Sequence, residues 1–216
     1  MKGQTLSGLG TRLRWNWKKR KSLINLLNHP GYQCSPGVVF LFLGMPLNVE
    51  IKARTIQPEF ARNYLRNNRA EFGGTDLQMD TYFNVSHGRL KLREGNIENN
   101  LIYYERQNVA GAKESNFRLV RVPDAEGLKN VLTRSLGVKI VVKKKREIYF
   151  IRNVKFHIDE VEGLGNFVEI EASDLYADIS REKLQEQCAF YLTELRIREE
   201  DHIAVSYSDM LFALIN

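Results

Sequence analysis

From Leu47 onward the chain alternates apolar and polar side chains, and in segment after segment the charged residues fall on one parity. In 47–54, Leu47, Val49, Ile51 and Ala53 alternate with Asn48, Glu50, Lys52 and Arg54. Successive side chains of a strand point to opposite faces, so this segment has an apolar face and a face that sets an acid beside two bases. The split recurs at Arg89, Lys91 and Arg93 against Leu90 and Leu92, and at Glu169 and Glu171 against Val168 and Ile170. β-Branched and aromatic content between turn residues predicts strands over 47–54, 78–84, 88–94, 101–107, 117–122, 140–151, 153–161 and 166–172. Three helices are predicted. Residues 58–70 open with Pro58 and place Phe60, Tyr64 and Leu65 on one face. Residues 125–136 follow Asp124 as cap, bury Leu128, Val131, Leu132 and Leu136, and stop at Gly137. Residues 181–196 follow Ser180, with Leu184, Cys188, Tyr191, Leu192 and Leu195 at helical spacing. If the helices cover the apolar strand faces, the charged faces are left pointing at each other. The expected fold is therefore α+β: about eight mainly antiparallel strands in a closed barrel or tunnel, with the helices packed outside. Bases in such a lumen would bind an anion, and acids a metal.

Charge divides the chain in two. Residues 1–44 hold Lys2, Arg12, Arg14, Lys18, Lys19, Arg20 and Lys21 and no acid, which leaves 25 bases against 26 acids in the remainder. The net charge of +6 thus belongs to a basic N-terminal extension, and the domain expected over 45–216 is close to neutral. That argues against nucleic acid as the domain's partner. The extension, with Trp15 and Trp17, reads as a disordered or upstream segment, with a mitochondrial transit peptide as the alternative to a cytoplasmic location. Cys34 and Cys188 are far apart and have no metal-ligand spacing, which suggests a reducing compartment. The longest apolar run, Val38 to Leu43, is too short to span a bilayer, so no membrane partner is expected. Oligomeric state is open, and a homodimer is compatible with this reading.

The candidate chemistry lies on the polar parity. Glu50, Lys52 and Arg54 follow one another along one strand face, roughly 7 Å apart. Arg89, Lys91 and Arg93 make a strip of like charge that an anion or facing acids would stabilise, and phosphate suits it. In the run Lys143 to Arg146, Lys144 and Arg146 share one parity, and one parity only is expected to face the lumen. Glu169 and Glu171 offer two carboxylates on one face, and His157 and Asp159 precede them on one parity. Hard oxygen ligands of this kind suit Mg²⁺ or Mn²⁺, and a surface salt-bridge ladder is the simpler reading of either pair alone. His157 alone reads as a hydrogen-bonded structural histidine. The sequence contains no zinc motif, nucleophile elbow, phosphate-binding glycine loop or dinucleotide fingerprint.

Taken together, Asn48-Val-Glu50-Ile-Lys52, Gln78-Met-Asp80-Thr-Tyr82-Phe83, Arg89-Leu-Lys91-Leu-Arg93-Glu94, Lys144-Lys-Arg146 and the stretch from His157 to Glu171 resemble the CYTH family, the triphosphate tunnel metalloenzymes. Ser206-Tyr-Ser-Asp-Met210 is similar to the tail of its cyclase-named bacterial members. The resemblance covers roughly residues 45–212. It implies a tunnel in which Lys52, Arg54, Arg89, Lys91, Arg93, Arg106, Lys144 and Arg146 neutralise a triphosphate. It also implies a Mg²⁺ or Mn²⁺ held by Glu50, Glu169 and Glu171 with Asp159 and Asn48. Asp159, or a water activated at the metal, is the implied base, with Lys52 beside it. The family signature has an acid where this chain has Asn48, which removes one negative charge from the metal set.

The implied substrates are small molecules bearing a triphosphate: inorganic triphosphate, thiamine triphosphate or ATP. Hydrolysis needs only a positioned water, whereas an adenylyl cyclase must also place the ribose hydroxyl. A triphosphate- or polyphosphate-binding module without turnover is the alternative from another class. Binding of nucleic acid by the basic extension is a third reading, which removal of residues 1–44 would test.

Overall fold

The computed structural model describes residues 47–105, 113–114, 116–174 and 179–215. The strands are β1 (Asn48–Arg54), β2 (Glu71–Phe83), β3 (Arg89–Glu94), β4 (Asn100–Glu105), β5 (Lys113–Glu114), β6 (Asn116–Arg121), β7 (Val138–Ile151), β8 (Val154–Val161) and β9 (Gly165–Ser173). The helices are α1 (Pro58–Asn67), α2 (Ala125–Leu136), α3 (Arg181–Glu194) and α4 (Tyr207–Ile215). All strands join one sheet in the order β5-β1-β9-β8-β7-β2-β3-β4-β6, and every pairing is antiparallel. The expected eight strands are all present, and the ninth is the two-residue β5. The α+β architecture is as expected, but closure is partial: among the described residues no ladder joins β5 to β6, and the sheet curls into a half-barrel.

The parity of the sequence decides the two faces. On the convex side Val49 and Ile51 of β1, Phe156 and Ile158 of β8 and Val168 and Ile170 of β9 pack against Ala61 and Leu65 of α1 and Leu184 and Cys188 of α3. Each such buried side chain contributes about 1.5–3 kcal/mol. A second layer sets Leu128, Leu132 and Leu136 of α2 on Phe83 and Leu92. Val131, expected to be buried with them, is 62% exposed. It lies about 100° around the helix from the centre of that leucine stripe, since each residue turns the helix by about 100°. Among the described residues no helix is long and apolar enough to cross a membrane.

Two elements exceed the sequence reading. Strand β2 begins at Glu71 rather than 78, because a register shift between Phe72 and Gly74 lets the ladder with β7 continue past a glycine pair that reads as a break. Helix α4 is not predicted at all. It starts on a reciprocal cap: Ser206 Oγ accepts from the Asp209 amide at 3.1 Å and Asp209 Oδ2 accepts from the Ser206 amide at 3.2 Å. This helix delivers Tyr207 onto the concave face, where Tyr82, Val142, Phe167 and Tyr207 belong to a hydrophobic cluster that fills one end of the half-barrel.

Candidate active site

The rest of the concave face is charged and encloses a cavity of about 210 Å³. β1 supplies Asn48, Glu50 and Lys52, β2 Asp80, β3 Lys91 and Arg93, β7 Lys144 and Arg146, β8 Lys155 and His157, and β9 Glu169 and Glu171. Glu98, from the β3–β4 turn, completes a set of six cations facing five carboxylates. The charges are not mixed evenly. They sort into a basic side, a central ion-pair cluster and an acidic end.

On the basic side one carboxylate serves three cations. Asp80 is 2.8 Å from each of Lys91, Arg93 and Lys144. Burial pushes the Asp80 carboxyl up, but Arg93, Lys144 and Lys91 outweigh it and hold the group well below the usual carboxylate range. Lys144 is pushed down to about 7 despite its ion pair. Burial is the largest cause, and the charges of Arg93, Arg146 and Lys91 add to it against the single opposing charge of Asp80. The cluster thus carries more positive charge than its acid can balance. Arg93 also donates to Glu98 at 2.9 Å. Glu98 is placed by Asp76, a fully buried carboxylate that accepts from the backbone amides of Ile97 at 2.9 Å and Glu98 at 3.3 Å. Gly95 permits this approach, because a Cβ there would lie 2.6 Å from Asp76 Oδ1 and 2.9 Å from the Glu98 carbonyl oxygen. Gly95→Ala is expected to lower stability by about 1–3 kcal/mol, as overpacking of a tight site does. A urea-unfolding midpoint equal to that of the parent chain would show that the turn yields without loss.

The centre is a closed network. Glu169 accepts from Lys52 at 2.9 Å and from Arg146 at 2.7 Å, and His157 Nδ1 lies 3.1 Å from its Oε2. Arg146 Nε donates to Asp159 at 2.7 Å, and the Tyr207 hydroxyl donates to the other Asp159 oxygen at 2.9 Å. Both Asp159 and Glu169 are pushed up by burial, and Arg146 more than reverses this, so each titrates below its ordinary range.

The acidic end follows from register. Strand pairing sets Glu50 directly opposite Glu171, and Lys155 opposite Glu171 on its other side. Burial, then the Glu50 and Glu169 charges, push the Glu171 carboxyl up in spite of Lys155. Asn48 Nδ2 donates to Glu171 at 3.1 Å, which turns its Oδ1 away, and that oxygen is buried without a hydrogen-bond partner. Two facing carboxylates and an unpartnered amide oxygen fit a hard divalent cation completed by water and phosphate oxygens. Among the described residues no three His, Cys, Asp or Glu side chains converge as a complete protein cage.

The structure brings Asn48, Glu50, Lys52, Lys91, Arg93, Lys144, Arg146, Glu169 and Glu171 to one cavity. Other sequence-predicted residues fall elsewhere, or lie at the cavity with their oxygens already engaged. Asp159, expected as metal ligand and base, has no exposed surface and lies beneath Tyr207 with both oxygens held by Arg146 and Tyr207. Glu169, expected as a metal ligand, is already surrounded by Lys52, Arg146 and His157. Arg54 shares the inward parity, but Phe167 and Tyr207 occupy that end of the barrel. Its guanidinium stacks 4.8 Å from the Phe167 ring and donates to the Leu164 carbonyl. Arg89 pairs with Asp209 at 2.8 Å in a separate cleft with His87 and Lys139. Arg106 lies outside the described residues. The sequence reading did not single out Asp80, Lys155, Tyr207 or Glu98 as site residues. Strand parity could have found Asp80 and Lys155, and the Ser206–Asp209 cap could have found Tyr207. Glu98 sits in a turn with no periodicity to reveal it.

A protein of Methanocaldococcus jannaschii, provisionally named an adenylate cyclase, is 27% identical over 175 residues, covering 76% of this chain and 98% of that protein. A solved Pyrococcus horikoshii structure matches with a TM-score of 0.66 at 27% identity, over 75% of this chain and 98% of its own. A Hippeastrum protein, described as an adenylyl cyclase candidate with a dominant triphosphatase activity, matches at a TM-score of 0.57 and 13% identity, over 80% of this chain and 97% of its own; that likeness concerns the fold alone. The CYTH domain model matches residues 46–207, and the chain belongs to the CYTH domain family.

Proposed function

We propose that this chain is a divalent-metal-assisted enzyme that hydrolyses a small-molecule triphosphate. The observation that carries the reading is the opposition, across one cavity, of a cation cluster with too little acid (Lys91, Arg93 and Lys144 around Asp80) and an acid pair with an unpartnered oxygen (Glu50, Glu171 and Asn48). A phosphate chain neutralises the first, and a cation neutralises the second. Arg93, whose Nε and Nη2 grip Asp80, adds its charge to the phosphate side, and Lys91 and Lys144 act as point charges. The burial of Arg93 and Lys144 makes their charges count for more than they would in water. Lys52 and Arg146 are matched in the middle of the site by Glu169 and Asp159, so the centre joins the two ends as a near-neutral ion-pair network. Glu50, Glu171 and the Asn48 amide oxygen would hold Mg²⁺ or Mn²⁺, which when bound supplies charge neutralisation at phosphate oxygens.

Cyclisation of ATP is the second reading. It is supported by the Methanocaldococcus jannaschii relative's provisional name and by Ile102 and Leu119, which give the cavity an apolar flank that a nucleobase could cover. One assay separates the readings. The full chain is incubated with inorganic triphosphate, thiamine triphosphate or ATP and with Mg²⁺ or Mn²⁺, and the products are resolved. Orthophosphate is the expected product. Cyclic AMP with pyrophosphate would replace hydrolysis by cyclisation, and saturable binding without product would leave a binding module. Glu50→Gln combined with Glu171→Gln is expected to raise the metal concentration for half-maximal rate by about tenfold or more, since the cation loses both charged ligands. An unchanged metal requirement would move the cation away from this end.

A further inference from the structure

We propose that Nε2 of His157 is the hydrogen-bond acceptor that fixes the attacking water, or in the cyclase reading the attacking hydroxyl, over the phosphate chain. This inference rests on the triphosphate reading above.

The tautomer follows from the neighbours. Glu169 accepts from Lys52 and Arg146, so it is an ionised carboxylate and can only accept at His157 Nδ1, 3.1 Å away. Nδ1 therefore carries the proton, and Nε2 of the neutral ring presents a lone pair. The ring is 2% exposed and lines the cavity, and Nε2 is buried with no protein partner. A buried acceptor left unmet carries a desolvation cost that a structural histidine would normally avoid.

Position supports the role. Register places His157 opposite Glu169, which lies opposite Lys52, and the neighbouring row is Lys155, Glu171 and Glu50. His157 therefore belongs to the central row of the site, next to the row that carries the acid pair. Asp159 cannot act in its place, because Arg146 and Tyr207 take both its oxygens. The arrangement is a histidine oriented by a carboxylate, with its free nitrogen toward the reaction. In hydrolysis the water oxygen bonds to the terminal phosphorus as the bond from phosphorus to the bridging oxygen breaks. The electron pair departs with the diphosphate, and the proton shed by the water leaves on the phosphate products. His157 contributes by accepting one O–H of the water, which directs a lone pair of the water oxygen toward phosphorus.

The test uses the full chain with His157→Phe and His157→Gln. Nitrogen-15 NMR of the parent's imidazole is expected to show a protonated Nδ1 and an unprotonated Nε2 whose signal moves when inorganic triphosphate is added. Kinetics are expected to show kcat about a hundredfold lower in His157→Phe. The Kd for inorganic triphosphate should stay within about twofold, and His157→Gln, which keeps an acceptor, should recover part of the rate. An active parent chain with Nε2 protonated, or with His157→Phe at full rate, would overturn this inference alone. Parallel loss of kcat and Kd would also overturn it, in favour of a structural role. A parent chain with no turnover of any triphosphate would overturn both this inference and the reading beneath it.

Discussion

Arg146→Ala is expected to destabilise the chain by about 3–5 kcal/mol at pH 7, because it strands two buried carboxylates. Asp159 and Glu169 both depend on this guanidinium, which donates to Asp159 at 2.7 Å through Nε and to Glu169 at 2.7 Å through Nη2. Tyr207 remains on Asp159, and Lys52 and His157 remain on Glu169, so the loss is of charge balance more than of hydrogen bonds alone. The pH dependence distinguishes this cause from a simple cavity. In the parent chain both acids titrate below their ordinary values. Their contribution to stability is therefore complete above about pH 4, where the unfolded carboxyls titrate, and is lost as pH falls through the folded values. Without Arg146, burial is opposed by less charge, from Lys52 and His157 at Glu169 and from Lys144 at Asp159, so both groups rise and the variant is relieved as they protonate. The gap between variant and parent should therefore narrow as pH is lowered from 7 toward 4. Urea unfolding of both chains across that range measures it. A gap below about 1 kcal/mol, or one that widens on acidification, would show that the pair is not held as described.

The same residues show what a sequence can and cannot reveal. Alternation identifies faces, and it does so well here: Asn48, Glu50 and Lys52 turn inward while Val49 and Ile51 turn out beneath α1 and α3. Lys144 and Arg146 are likewise separated from the exposed Lys143 and Lys145. Parity does not give depth along the barrel. Arg54 and Asp159 have the inward parity but lie where Phe167 and Tyr207 fill the lumen, and only the placement of α4 reveals that. Nor does parity give register between distant strands. The pairing of β1 with β9 makes Glu50 face Glu171 and hands Glu169 to Lys52, which divides what reads as one acidic strip into a metal-like end and an ion-pair centre. Closure of the barrel is similarly a property of strand order, and the ladder stops at β5 and β6.

Asp80→Asn is expected to lower stability by about 3–5 kcal/mol in the absence of ligand and to tighten binding of inorganic triphosphate by about tenfold or more. The substitution keeps the side-chain volume while removing the one carboxylate shared by Lys91, Arg93 and Lys144. Three cations are then left together, two of them with little exposure to water, and a polyanion becomes their available counter-charge. The direction of the pH effect follows from Lys144. Its pKa is about 7 with Asp80 present, and the Asp80 charge opposes the lowering by burial and the neighbouring cations, so it falls further in the variant. A bound polyanion restores the ammonium, which couples binding to proton uptake. Affinity should therefore weaken as pH rises from 6 to 8, and more so in Asp80→Asn than in the parent. Titration calorimetry at several pH values, with unfolding followed with and without inorganic triphosphate, reads both effects. Equal affinity in parent and variant would mean that the phosphate chain does not lie on this cluster, whatever reaction the cavity performs.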